Sequence, residues 1–314
     1  MPSQTVQKYD VVIVGGGIAG LSAALVLGRA RRKVAVVDAG QPRNRVAGHV
    51  HGFPTRDGAS PAELLKAARE EVYRYGVELI AGTVAKVATG LRLELSDGNS
   101  LHSRHVILAG GLQDVLPDLE GASDCWGRDL LQCPYCHGWE VRDRRLGVLG
   151  TSESSVQQAL LVRQWSDRVT FFPHTSGDPA ASDAAHLAAR GVQTVSGQVR
   201  RLVSNGDGLT GLEVDGAGVV PCDALFIEPG SAVDRGVAAA LDCSYAEDGC
   251  LTTDDLGRTS VERVWAAGNA TDPAAQLVSA AGDAYRVAVS VNAELVREDV
   301  EAAMGQPVLH HTEQ

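Results

Sequence analysis

Val12-Ile13-Val14-Gly15-Gly16-Gly17-Ile18-Ala19-Gly20 is an apolar run ending in a glycine-rich turn, and its reading decides the fold. The spacing Gly15-x-Gly17-x-x-Gly20 predicts a strand, a tight turn and a helix. Gly15 permits the turn, Gly17 lets a pyrophosphate approach the backbone, and Gly20 lets helix and strand pack closely. Residues 9–14 read as the strand and Gly17 to Gly28 as the helix. Lys33 to Val37 reads as a second strand ending at Asp38, eighteen residues after Gly20. A helix N-terminus favours phosphate, and an acid at the end of the second strand can accept a ribose hydroxyl. The segment therefore predicts the opening βαβ of a dinucleotide-binding unit, without saying which dinucleotide.

Outward from this unit, a loop rich in His, Arg, Pro and Gly spans 40–58, and Pro61 to Tyr75 reads as a helix. Short strands are predicted around Ala85, Leu93 and Leu101, and a further strand over His105-Val106-Ile107-Leu108-Ala109-Gly110-Gly111. The pattern then restarts. Arg145 to Leu149 is a strand, Glu153 to Trp165 a helix, and Arg168 to Phe172 a strand. Asn205-Gly206-Asp207-Gly208 separates two apolar runs, Val199 to Val203 and Leu209 to Val214, a hairpin signal. Arg263 to Ala267 is a late strand, Pro273 to Val296 a closing helix, and the tail from Gly305 is expected to be disordered. The order predicts an α/β protein of two Rossmann-like, doubly wound units, the second inserted in the first: 1–115 with 248–314, and 116–247.

Between the two glycine-rich loops, where the second unit begins, lies Cys133-Pro134-Tyr135-Cys136-His137-Gly138. A structural pair of cysteines is one reading of Cys-x-x-Cys. Zinc would need two more ligands at matching spacing, and no second Cys-x-x-Cys exists. A redox dithiol fits best, with His137 placed to move the proton; packing of His137 against its loop is the plainer alternative. Cys125, Cys222, Cys243 and Cys250 lack motif spacing and read as small buried hydrophobes.

Composition narrows the function classes. In 314 residues, Lys plus Arg number 28 and Asp plus Glu 39, a net charge of −11. Such a surface argues against nucleic acid or an anionic membrane as the main partner. No apolar stretch reaches the roughly 20 residues of a membrane span. No metal site is expected, the N-terminal residues lack a signal-peptide core, and a cytoplasmic location is expected.

The whole arrangement resembles the low-molecular-weight thioredoxin reductase family. The likeness covers both glycine-rich units, the dithiol between them, and Trp265-Ala266-Ala267-Gly268-Asn269-Ala270 with Ala275-Gln276-Leu277, which resembles that family's second FAD signature. The resemblance implies FAD as cofactor and a homodimer. It implies flavin contacts at Gly15, Gly17, Ala19, Gly20, Asp38, Asn44, His51, Val84, Ala109, Gly110, Asn269, Gln276 and Leu277. Asn269 departs from the family, which carries an acid there; an amide can still bond a hydroxyl, and a cap or turn role is the alternative. Cys136 is implied to face the flavin as a charge-transfer thiolate, and Cys133 to exchange with substrate through a mixed disulfide. His137 stands where the reductases carry Asp.

The second unit departs further. Its loop is Gly150-Thr151-Ser152-Glu153-Ser154-Ser155, with Ser152 in place of the second glycine. Pro173-His174-Thr175 replaces the His-Arg-Arg with which the reductases clamp the 2′-phosphate of NADPH, and Arg163 and Arg168 lie off pattern. The chain in this respect looks like the dithiol oxidases that close the disulfide of gliotoxin- and holomycin-type antibiotics. The expected activity is therefore FAD-dependent oxidation of a small-molecule dithiol, with O2 reduced to H2O2 and Cys133, Cys136 and His137 as catalytic residues. An NADPH-dependent disulfide reductase of thioredoxin type and a flavin redox sensor without turnover are the competing readings. If His137 is not the base, His49, His51, His310 and His311 are the next candidates.

Overall fold

The computed structural model describes residues 7–233 and 236–305. His310, His311 and the rest of the tail beyond Gly305 lie outside the described residues. The chain opens with β1 (Gln7–Val14), α1 (Ile18–Arg29), β2 (Val34–Asp38), α2 (Pro61–Tyr73), β3 (Glu78–Ala81), β4 (Val84–Ala88), β5 (Arg92–Leu95) and β6 (Ser100–Leu108). β7 (Leu112–Val115), α3 (Ala122–Cys125), β8 (Leu130–Leu131) and α4 (Pro134–His137) follow. Next come β9 (Leu146–Leu149), α5 (Ser155–Val162), β10 (Val169–Phe172), α6 (Ala181–Ala189), β11 (Gln193–Thr194), β12 (Val199–Ser204), β13 (Leu209–Val214), β14 (Gly218–Pro221) and β15 (Ala224–Phe226). β16 (Gly230–Val233), α7 (Gly236–Ala240), β17 (Val264–Ala266) and α8 (Leu277–Ala303) complete the chain.

Two compact units result. The first comprises residues 1–43, 62–113 and 231–314, and the second 44–61 and 114–230. In the first, the sheet order is β3-β2-β1-β6-β5-β4, with β17 also on β6. β6 accommodates both because β5 pairs antiparallel with its start, Leu93 opposite Leu101, while β17 pairs parallel with its end, Trp265 opposite Ile107. The strands expected separately at Leu101 and His105 are thus one strand. β1, β2 and the end of β6 read as nearly unbroken apolar runs because both sheet faces are covered. Val11, Ile13, Val36 and Ile107 pack with α1 and α8 on one face. Val12, Val37, Val106 and Leu108 pack with Leu93, Val264 and Val237 on the other. The period of two along β1 assigns each side chain to its core.

The second unit has a parallel sheet, β11-β10-β9-β15-β8, and an antiparallel sheet, β12-β13-β14, which contains the expected hairpin. The unit boundaries differ from the expected 116–247 in two ways. The chain re-enters the first unit at Ser231, because α7 buries Val237 and Ala238 in the core around β1 and β6. Residues 44–61 also group with the second unit. There Gly127 approaches Val46 so closely that a Cβ would lie 2.7 Å from the Val46 carbonyl oxygen. α5 begins at Ser155, two residues after the expected start, and α8 begins at Leu277, after the Pro273 region has formed a turn.

Candidate active site

In the first unit the glycine turn is built as its spacing requires. Gly15 has φ +108°, and a Cβ on it would overlap the Ala109 carbonyl. A Cβ on Gly20 would overlap the Gly15 carbonyl, so helix and strand could not close. Gly17 differs: its φ of −72° suits any residue and a Cβ would meet nothing within 4 Å. Packing within the chain does not require glycine at Gly17, so close approach by a ligand explains it. Gly17 caps α1 without a side-chain hydrogen bond, which leaves the first-turn N–H groups to a phosphate. Gly110 likewise has no heavy atom within 4 Å of a built Cβ.

Asp38 ends β2 with one carboxylate oxygen accepting the Gly16 N–H at 3.1 Å and the other 3.1 Å from Arg69 Nη2. Gly16 is required too, since a Cβ would lie 2.6 Å from Asp38 Cγ. Neither Gly16 nor Arg69 stood out in the sequence; Arg69 reaches Asp38 from α2 across 31 residues. Ala19 packs on Gly268, whose Cβ would lie 2.7 Å away, and Gly268 N–H donates to Asp283 Oδ2 at 3.0 Å. Asn269 Nδ2 donates to the carbonyls of Asp272 at 2.9 Å and Ala275 at 3.0 Å. Asn269 therefore braces the turn before α8, while its amide oxygen is the atom suited to a flavin hydroxyl. Gln276 and Leu277 form the start of α8, and Val84 the start of β4. These residues fit FAD: an uncapped helix start, a glycine explained only by a ligand, and an acid at the strand end. Asn44 and His51 fall in the second unit.

In that unit Cys133 and Cys136 form a disulfide. Cys133 is the N-cap of α4, and the Cys136 N–H points at its Sγ at 3.1 Å. An N–H aimed at sulfur favours thiolate over thiol. Gly138 is obligatory, because a Cβ would lie 2.5 Å from the Pro134 carbonyl and 2.7 Å from the Trp165 ring. Tyr135, between the cysteines, is exposed and edge-on to Trp165 at 5.5 Å. Both His137 ring nitrogens are buried with no hydrogen-bond partner among the described residues. Burial pulls its imidazole below the ordinary histidine range, outweighing the opposite pull of the Cys133 backbone and Glu140, while nearby His51 adds to the lowering. His51 faces Asp57 with Nδ1 at 3.4 Å and Glu140 with Nε2 at 3.5 Å. His49 and His51 rings lie 6.4 Å apart. Cys125, Cys222, Cys243 and Cys250 are free and buried.

The second glycine loop is geometrically unlike the first. A Cβ on Gly150 would overlap Ser176 Oγ and lie 2.5 Å from the Pro173 carbonyl, because the Pro173–Ser176 turn folds back on it. His174 has φ +46°, and its Nδ1 accepts the Val199 N–H at 3.2 Å. Arg163 donates to the Arg190 carbonyl at 2.9 Å and Arg168 to that of Asp143. No helix among the described residues is long and apolar enough to cross a membrane.

The chain belongs to the pyridine nucleotide-disulphide oxidoreductase family, whose sequence profile matches residues 9–284. It is a thioredoxin reductase-like flavoprotein oxidoreductase, and FAD is its cofactor. Among solved structures, HlmI shares 45% identity at a TM-score of 0.90, over 95% of this chain and 96% of that one. An oxidoreductase from Agrobacterium tumefaciens shares 32% identity at a TM-score of 0.87, over 93% and 99%. Thioredoxin reductase sirT of Leptosphaeria maculans is 31% identical over 94% of this chain and 96% of its own length. Thioredoxin reductase tcpT of Claviceps purpurea is 32% identical over 83% and 86%.

Proposed function

We propose that this protein is an FAD-dependent dithiol oxidase that closes a disulfide in a small-molecule dithiol of natural-product type and passes the electrons to O2. The observation that carries the reading is the Pro173–Ser176 turn. Where the related reductases present arginines to a nucleotide phosphate, this chain folds the turn onto Gly150 and commits His174 to Val199. The chain thus combines a redox dithiol with an intact flavin site, and its second loop has no built receptor for NADPH.

In the reaction, a substrate thiolate attacks Cys133 Sγ, breaks the Cys133–Cys136 bond and releases Cys136 as thiolate. The second substrate thiol gives its proton to His137 and attacks the mixed disulfide, forming the product disulfide and releasing Cys133. Two electrons have then passed to the cysteine pair. FAD, held by the glycine turn and Asp38, would supply the two-electron relay by which the reduced pair returns to the disulfide, with O2 and two protons becoming H2O2. His137 suits its role because burial keeps it neutral at neutral pH, and its unpartnered nitrogens leave a lone pair for a thiol proton. The N–H of Cys136 on Cys133 Sγ stabilises the Cys133 thiolate that leaves in the second exchange. Asn44 and His51 remain proposed flavin contacts, and a cytoplasmic homodimer is the proposed form.

The names of the relatives sirT and tcpT favour a second reading, an NADPH-dependent disulfide reductase. Oxygen-electrode assay with dithiothreitol separates them. An oxidase consumes one O2 and forms one H2O2 per disulfide without added nucleotide; strict dependence on NADPH sinks the proposal.

A further inference from the structure

We infer that Glu228 keeps nicotinamide nucleotides out of the second Rossmann unit by acting as an internal anion in its glycine loop. The inference deepens the oxidase reading and rests on it. Glu228 follows β15, whose register is fixed by Phe226 opposite both Leu131 and Val148. From there its side chain reaches the loop between β9 and α5, 76 residues away in sequence. Ser152 Oγ donates to Glu228 Oε2 at 2.7 Å, and the Ser154 hydroxyl donates to the same oxygen. Thr151 Oγ1 donates to the Glu228 backbone carbonyl at 3.3 Å.

Two backbone donors of the loop are engaged as well. The backbone N–H groups of Thr151 and Ser152 donate to Ser155 Oγ at 3.1 and 3.2 Å, and Ser155 is fully buried. Side-chain hydroxyls and backbone N–H groups are what a loop before a helix offers a pyrophosphate. Here a serine oxygen and a carboxylate take them. An incoming pyrophosphate would displace these bonds and sit beside a like charge, without an arginine to offset it. In the first unit, by contrast, the corresponding position is Gly17, which carries no hydroxyl and faces open space. The substitution of Ser152 for glycine thus does more than crowd the loop, because it supplies the hydroxyl that holds Glu228 in place.

The test titrates ADP-ribose and NADPH into holoenzyme by calorimetry. Wild type, Glu228→Ala and Glu228→Gln are compared with Glu153→Gln, which removes a charge from the same loop elsewhere. Glu228→Ala should tighten both ligands by about tenfold or more, as expected for removing one like charge a few ångströms from a phosphate. Glu228→Gln, which keeps an acceptor but loses the charge, should tighten them less. Glu153→Gln should stay within about twofold of wild type. FAD content and dithiothreitol oxidation should be unchanged in all. If Glu228→Ala loses FAD or fails to fold, Glu228→Gln decides alone. Variants that bind no tighter than a weakly binding wild type overturn this inference and leave the oxidase reading standing. A wild type that binds NADPH tightly and is reduced by it overturns both.

Discussion

His105 Nε2 and Glu298 Oε1 lie 3.1 Å apart in the interior of the first unit, the histidine fully buried and the carboxylate side chain 7% exposed. Trp265 Nε1–H donates to His105 Nδ1 at 3.1 Å, which places the proton on Nε2 and makes His105 a donor to Glu298. Arg104 Nη2 reaches the other carboxylate oxygen at 2.8 Å. This network ties α8 to β6 and β17, and so fixes the helix whose start carries Gln276 and Leu277. Removing one partner of a buried pair leaves the other uncompensated. Glu298→Ala is therefore expected to cost about 3 kcal/mol, read by denaturant unfolding, whereas an exposed acid such as Glu70 matters far less.

The same carboxylate sets an acid limit. Burial would raise the Glu298 pKa, but hydrogen bonds from His105 and Arg104 outweigh it and hold it at about 2, below the ordinary 4.5. A depressed folded pKa contributes stability that is full above 4.5 and is lost as pH falls toward about 2. Melting temperature should fall across that window, and the fall should be shallower in Glu298→Gln. Parallel curves would remove Glu298 as a cause.

Gly17 and Gly20 should respond differently to the same substitution. Gly17→Ala places a methyl in open space and should leave the apoprotein fold intact while weakening FAD retention by about tenfold or more. Gly20→Ala drives Cβ into the Gly15 carbonyl and should destabilise the fold itself. Equal FAD retention in Gly17→Ala and wild type, measured by flavin release on dialysis, would contradict the ligand explanation for Gly17.

Much of this was legible in the sequence because it is local. The β1-α1-β2 turn, its counterpart at β9-α5-β10 and the β12–β13 hairpin are each specified within a few tens of residues by apolar period and glycine spacing. What was not legible depends on distant partners. The loop at 44–61 has no period, so nothing in it announces Gly127 or Glu140 as neighbours. α7 is five residues long, too short to carry a helical stripe, so the early return to the first unit was missed. Arg69 beside Asp38 and Glu228 beside Ser152 arise from how strands and helices are layered, and no spacing rule anticipates either.

The two cysteines should be distinguishable by colour. Cys133→Ser should leave Cys136 as a thiolate beside oxidised flavin and produce a long-wavelength charge-transfer band, whereas Cys136→Ser should lack it. Both should abolish turnover. A band in Cys136→Ser alone reverses the assigned roles.

His137→Ala should slow dithiol oxidation by at least about tenfold at neutral pH with FAD retained. Because burial lowers the His137 pKa, the base stays unprotonated below its ordinary range, so the wild-type acid limb should fall below about pH 6.5. The defect should shrink as pH nears the thiol pKa of about 8.5, where thiolate forms unaided. His137→Asp should recover part of the rate. Wild-type turnover in His137→Ala across this range would move attention to His51.

The central claim is that electrons enter from a dithiol and leave to oxygen. Anaerobic stopped-flow absorbance of the bound flavin tests it most directly, with dithiothreitol, NADH and NADPH mixed separately with the holoenzyme. The dithiol should bleach the flavin at least as fast as turnover, both nucleotides should leave it oxidised on that timescale, and admitted O2 should restore the colour. Bleaching by NADPH faster than turnover, or a reduced flavin that O2 does not reoxidise, would contradict the account.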